Sequence, residues 1–270
     1  MQHDSAETKV CNTFEIETKW SYRPYSPLQR RARSLKPAEH SYQEESCNGL
    51  LTKISNSCES YLFPSPLPVV NRNLMRNGYA KRLLRKYSYE KFVEVELGDR
   101  VVDCGAYIGA FSLLHAQTAE AILACEPAPR NYEALKLNTI AAGNIHCANV
   151  ALYNHDGNLP FNYGTSNSTD SSLITPDSKH SECLPSIPVR LLSTVVRDMG
   201  WKRIDFLKLE AEGVEKTIAE TVSPQLVRKL AIDCSPECDG ESPLLDIAIL
   251  LAKKGYTLKA RNYILFAVAG

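Results

Sequence analysis

The sequence predicts an α/β domain built on a mostly parallel sheet with helices on both faces. Three observations carry this. Short apolar runs alternate with helical periodicities from residue 100 onward. Residues 100–127 read as strand, glycine turn, helix, second strand and an acid, the order of a nucleotide-binding βαβ unit. Two final β runs, 256–260 and 263–268, flank Arg261-Asn262 and close the sheet as an antiparallel hairpin.

Length and composition bound the answer. A chain of 270 residues fits one α/β domain of roughly 170–200 residues plus an extension. With 31 basic and 31 acidic residues, net charge argues for neither nucleic acid nor an anionic membrane as partner. Met1–Glu7 has no basic or apolar leader character, and no run approaches ~18 apolar residues. A cytoplasmic protein with a small-molecule partner is expected, and a homodimer stays open. Nine cysteines, with Cys104 and Cys125 in or beside apolar strands, read as reduced thiols. Cys234 and Cys238 lack the second pair that a zinc site needs, so no metal is expected.

Residues 1–70 read as an N-terminal arm and linker, and 71–270 as the main domain with its preceding helices. Within 1–48, Pro24, Pro27 and Pro37 interrupt polar sequence, and Arg23, Arg30, Arg31, Arg33 and Lys36 form a basic run. Prolines exclude a helix from 61–70. From Asn71, Leu74, Met75, Tyr79, Leu83, Leu84 and Tyr87 recur at helical spacing, with Arg72, Arg76, Lys81, Arg82, Arg85 and Lys86 on an outer face. A second short helix is expected over Tyr89–Glu94, with Tyr89 and Glu90 either beside the cleft or serving as a core tyrosine and a capping glutamate.

Val101 and Val102 open the first strand of the βαβ unit, which ends at Asp103; Gly105 and Gly109 make the turn, and Phe111, Leu113 and Leu114 begin the helix. Ile122–Cys125 is the second strand. Glu126 lies about 20 residues after Gly105, the spacing of an acid that accepts ribose hydroxyls. The pattern is D-x-G-x-x-x-G, and Tyr107 stands where a dinucleotide fingerprint needs glycine. A carboxylate at Asp103 would repel a pyrophosphate yet receive an amino-acid ammonium, which favours S-adenosylmethionine over NAD.

Downstream, 129–142 reads as a helix with Tyr132, Leu135 and Ile140 inward and Gly143 as its C-cap. A third strand covers 145–152, Asp156-Gly157 signals a hairpin, and 159–163 is a short β segment. Residues 164–186 read as a flap near the substrate, with His155 and His180 in reach of an acceptor. Ser193 is placed to cap a helix through Met199. Strands follow at 204–209 and 229–233. A helix over 242–254 buries Leu244, Leu245, Ile247, Ala248 and Leu251 and stops at Gly255.

The chain resembles the FkbM family of S-adenosylmethionine-dependent methyltransferases, of the Rossmann-like class I, over roughly 89–268. Val102-Asp103-Cys104-Gly105-Ala106-Tyr107-Ile108-Gly109 carries the likeness, with Glu126-Pro127 before Asn131, Leu135 and Asn138, and, most specifically, Asp205-Phe206-Leu207-Lys208-Leu209-Glu210-Ala211-Glu212-Gly213-Val214-Glu215. The resemblance implies a seven-stranded sheet and O-methylation of a hydroxyl on a small molecule or glycan. It implies that Asp103, Gly105, Ala106, Tyr107 and Gly109 surround the methionine and ribose, with Glu210 beside them. Glu126 and Pro127 would then meet the ribose, and Asn149, Val150 and Ala151 the adenine. The family commonly carries Asn at the position of Tyr107 and Asp at that of Glu210.

Methyl transfer to oxygen needs an in-line approach and an acceptor for the hydroxyl proton. Glu210, Glu212 and Asp233, at the ends of the strands beside the cleft, are the candidates. Structural roles compete: Glu212 binding backbone amides, Glu215 capping the next helix, or a weak divalent-metal site. A cofactor-binding scaffold acting through the basic arm, and a NAD-dependent oxidoreductase, are the alternative functions.

Overall fold

The computed structural model describes residues 14–17, 41–47, 49–67, 69–164, 173, 181–236 and 241–270. Pro24, Pro27, Pro37, the basic run at 23–36, Cys238, His180 and most of the expected flap lie outside them.

Eight strands form the main sheet: β1 (Phe14–Glu17), β5 (Arg100–Cys104), β6 (Ala121–Cys125), β7 (Ile145–Ala148), β11 (Ile204–Leu209), β12 (Val227–Asp233), β13 (Tyr256–Arg261) and β14 (Ile264–Ala269). Their order is β1-β13-β14-β12-β11-β5-β6-β7. Seven of them are the expected mostly parallel sheet. β14 alone runs antiparallel, to both β12 and β13, and β1 adds a parallel edge beside β13. The strands read as continuous apolar runs because both faces are covered.

On one face, α1 (Val69–Arg76), α2 (Tyr79–Tyr87) and α3 (Ala110–His115) pack with Val101, Phe206 and Phe266. On the other, α5 (Leu192–Asp198), α6 (Glu215–Ala219) and α7 (Leu244–Lys253) pack with Val102, Leu207 and Leu230. α4 (Pro129–Thr139) follows β6 and packs on Ala106 and Ala124 through Leu135.

Several expectations change. The single helix from Asn71 is two, because Gly78, at φ 76°, breaks the backbone between α1 and α2. Tyr89–Glu94 is no helix but a tight turn closed by a Tyr89–Val93 bridge, with Lys91 at φ 59°; the Tyr89 ring packs edge-on against Phe266. The linker holds real structure: β2 (Tyr42–Cys47), β3 (Leu51–Asn56) and β4 (Ser60–Pro64) form an antiparallel meander. Ile54 and Phe63 are fully buried in the same cluster as α1–α3. The Asn138 side chain completes the docking by donating to the Leu62 carbonyl and accepting its N–H.

The third strand splits into β7 and β8 (Ala151–Tyr153), and β8 joins a second sheet, β8-β10-β9, with β9 (Gly157–Gly164) and β10 (Ser181–Leu191). No hairpin forms at Asp156-Gly157, since β8 pairs with β10 and not with β9. Asp156 instead accepts the Leu191 N–H and the Thr194 hydroxyl, which ties it to the start of α5; Ser193 does not cap that helix, whose N-cap residue is Leu191 with no side-chain cap bond. Ile140, expected inward, is 81% exposed, and α4 ends at Thr139 without using Gly143. Leu245 likewise faces out, while Ile247, Ala248 and Leu251 are buried as expected.

Candidate active site

Chain order runs outward from β5 to β6 and β7 on one side and through β11 and β12 on the other, so the crevice opens above the carboxyl ends of β5, β6 and β11. Gly105, at φ 72°, turns the chain here. A Cβ on it would lie 1.8 Å from the carbonyl oxygen of Glu210, so two backbone turns cross at a distance only glycine permits. Gly109 has a packing role, for its Cβ would press on Leu135 and Thr139 of α4.

Tyr107 adopts φ 53°, a left-handed conformation uncommon for a bulky residue. This aims its backbone N–H at Glu126 Oε2, 2.8 Å away, while Ala128 N–H reaches Oε1 at 2.9 Å and Asn131 Nδ2 at 3.3 Å. Burial pushes the Glu126 carboxyl up to about 7, opposed by these hydrogen bonds and by the charge of Lys208. Asn149 donates to the carbonyls of Glu126 and Pro127, which sets the turn that presents the acid.

A ladder of alternating charge crosses the strand ends. Lys208 Nζ lies 3.1 Å from Asp103 Oδ1 and 3.2 Å from Glu210 Oε2, and donates to the Gly105 carbonyl at 2.6 Å. The Asp103 contact is an ion pair whose angle falls outside hydrogen-bond geometry; Ser112 donates to the other oxygen of Asp103. Lys86 Nζ, from α2, lies 2.5 Å from Glu210 Oε1 and 2.7 Å from Asp233 Oδ2. Asp233 Oδ1 also accepts from the N–H and the hydroxyl of Ser235. Burial acts to raise the Glu210 pKa, but Lys86 and Lys208 overcome it and hold the group well below the ordinary carboxylate range, although its side chain keeps 29% exposure. Burial first, then the charges of Glu210 and Asp233, keep the adjoining Tyr87 hydroxyl protonated.

The cavity wall includes Gly105, Tyr107, Glu126, Pro127, Val150, Ala151, Glu210 and Glu212 from the expected set. The structure does not bring Asp103, Ala106, Gly109, Asn149 or Asp233 to that wall. Asp103 is fully buried and pairs with the ammonium of Lys208. Ala106 packs under α4, and Asp233 is tied to Lys86. Neither Tyr89, Glu90 nor His155 lines the cavity; His155 bonds to Asn154. Glu212 stands at φ 50° beside the turn, and it is Glu215 that accepts the Ala211 and Gly213 amides. Sequence reasoning missed Lys208 and Lys86. A lysine inside an apolar strand was the signal for the first; Lys86 was placed on the outer face and turns inward. Arg82, Lys86, Asn131, Phe161 and Leu173 also line the wall.

This strand order and cleft define the class, a Rossmann-like methyltransferase. Residues 103–232, a little under half of the chain, match the methyltransferase FkbM domain, which supports an FkbM-type methyltransferase. S-adenosylmethionine is the methyl donor of this chemistry. The chain is 29% identical over 193 residues to the methyltransferase sdnD of Sordaria araneosa, covering 58% of this chain and 73% of that protein. Among solved structures it is similar to a methyltransferase FkbM from Methylobacillus flagellatus KT, at 17% identity and TM-score 0.44, over 72% of this chain. It spans about half of that protein, 52%. Aeropyrum pernix fibrillarin, solved with natively bound S-adenosyl-L-methionine, aligns over 84% of this chain and 98% of that one at 12% identity and TM-score 0.42. No helix among the described residues is long and apolar enough to cross a membrane.

Proposed function

We propose that the chain transfers a methyl group from S-adenosylmethionine to a hydroxyl of a small molecule, a natural product or a sugar. The observation that carries this is the presentation of Glu126: a buried carboxylate fixed by the Tyr107 and Ala128 amides at the cavity wall, with lone pairs left for a vicinal diol. Pro127, Val150, Ala151 and Phe161 offer apolar surface to a purine. Gly105 and Glu210 stand where the methionine chain would run.

When bound, the cofactor supplies an electrophilic methyl carbon on a sulfonium. The protein's part is to hold the acceptor oxygen in line with the C–S bond and to take its proton as the C–O bond forms and the electron pair passes to sulfur. Glu210, held ionised by two lysines, is a poor base and serves to offset positive charge. Asp233 is away from the wall. Glu212 is therefore the acid we assign to the proton, a step typically worth ~100-fold or more.

Calorimetry with S-adenosylhomocysteine tests the cofactor part: micromolar binding lost in Glu126→Ala is expected, and no binding to the parent chain overturns it. A panel of hydroxylated acceptors tests the rest. Glu212→Gln should lower turnover while leaving that binding unchanged; unchanged turnover removes Glu212 from the role.

A further inference from the structure

Among the described residues, the cavity wall carries one cation whose side chain meets no acid or carbonyl. Arg82 of α2 lines the cavity, and its guanidinium has no ion-pair or hydrogen-bond partner among the described residues. Its neighbour one turn on, Lys86, is committed to Glu210 and Asp233. Residues four apart share a helix face about 6 Å apart, so Arg82 stands one turn from the Glu210 carboxylate on the same side of the cleft. Glu126 fixes the ribose end of a nucleoside ligand, and the apolar wall at Val150 and Ala151 fixes its base. With the ribose at Glu126 and the base against Val150 and Ala151, the amino-acid arm would run toward Glu210 and α2. That arm ends in an ammonium and a carboxylate on a single carbon, and Glu210 and Arg82 are the complementary pair of charges at that end of the cavity.

We infer that Arg82 binds the methionine carboxylate of S-adenosylmethionine, while Glu210 receives its ammonium. This rests on the cofactor reading above. A guanidinium suits the task because its planar fork meets a carboxylate through two parallel N–H donors, which a lysine does not reproduce. The assignment explains why α2, which precedes β5, presents two cations to the same cavity. One neutralises the protein's own acids, and the other is kept for the ligand.

The test compares S-adenosylhomocysteine with 5′-methylthioadenosine, which keeps the adenine, ribose and sulfur but lacks the amino-acid carboxylate and ammonium. Calorimetry on the full chain and on Arg82→Gln is expected to show ~10-fold or greater loss for S-adenosylhomocysteine in the variant. 5′-Methylthioadenosine should bind both proteins equally. Arg82→Lys should recover part of the loss. Arg82 is exposed, so thermal unfolding of the variant should match the parent. Unchanged S-adenosylhomocysteine affinity, or equal weakening of both ligands, overturns the assignment. Failure of both ligands to bind the parent chain overturns the cofactor reading instead, so the two failures are distinguishable.

Discussion

Lys208 Nζ and Asp103 Oδ1 face each other at 3.1 Å, with side chains 3% and 0% exposed, across the parallel pair β11 and β5. Breaking a buried pair by removing one partner leaves a bare charge in the interior, at a cost of about 3–5 kcal/mol. Lys208→Met should therefore destabilise the protein by about 3 kcal/mol or more in urea unfolding, and adding Asp103→Asn should recover part of it. A single-variant loss under about 1 kcal/mol would show that the pair is not desolvated.

Glu126 gives the apo protein a pH dependence of defined sign. Burial raises its carboxyl from 4.5 to about 7, so between these values the folded state holds a proton that the unfolded state has released. The corresponding stability, about 3 kcal/mol at most, is fully present below about pH 4.5 and is lost as pH rises through about 7. Thermal unfolding from pH 5 to 8 should fall more steeply for the parent than for Glu126→Gln. Binding of a ribose diol favours the ionised acid, so cofactor affinity should rise across the same window and level off above it. Parallel unfolding curves for the two proteins would contradict both statements.

Gly105 and Gly109 should respond differently to alanine. At Gly105 the new Cβ meets backbone 1.8 Å away, whereas at Gly109 it meets the flexible ends of Leu135 and Thr139 at 2.6 and 2.9 Å. Both positions have positive φ, so both carry a strain cost of about 1–2 kcal/mol. Gly105→Ala should add a displaced turn and abolish S-adenosylhomocysteine binding. Gly109→Ala should bind it and only unfold earlier. Equal behaviour in calorimetry would mean the two turns do not cross as described.

Tyr107 joins the N-terminal unit to the cleft: Asn71 Nδ2 donates to its hydroxyl at 2.8 Å, and its ring packs 6.3 Å from that of Phe63. Tyr107→Phe should cost about 1 kcal/mol through the lost hydrogen bond. Tyr107→Asn relieves the left-handed backbone but forfeits the ring contact, and should cost more than Tyr107→Phe. The reverse order in chemical unfolding would mean that backbone strain outweighs the packing.

What the sequence made legible was local. Asp103 to Glu126 reads correctly because glycine turns, apolar runs and an acid at a fixed spacing are constraints within one βαβ unit. The neutralisation of Asp103 was hidden because Lys208 is 105 positions later and becomes its neighbour only through the β11–β5 register. Asp156 looked like a turn residue, and its true partners at Leu191 and Thr194 depend on the second sheet. The meander at 42–64 was obscured because its charges, and the prolines from Pro64 onward that close it, mask the alternation that buries Ile54 and Phe63. Lys86 was misplaced for a related reason: helical spacing finds the apolar face, and an ion-paired lysine beside that face looks like solvent-facing charge.

The position of Lys86 also sets a limit on dissection. The matched domain begins at residue 103, after α2 has ended. A fragment cut there would keep Glu210 and Asp233 and lose the ammonium that separates them, placing two carboxylates side by side with like charge. The segment before β5 thus supplies the counter-ion of the strand-end acids as well as a cover for the sheet, and a fragment cut at residue 103 is expected to lose both.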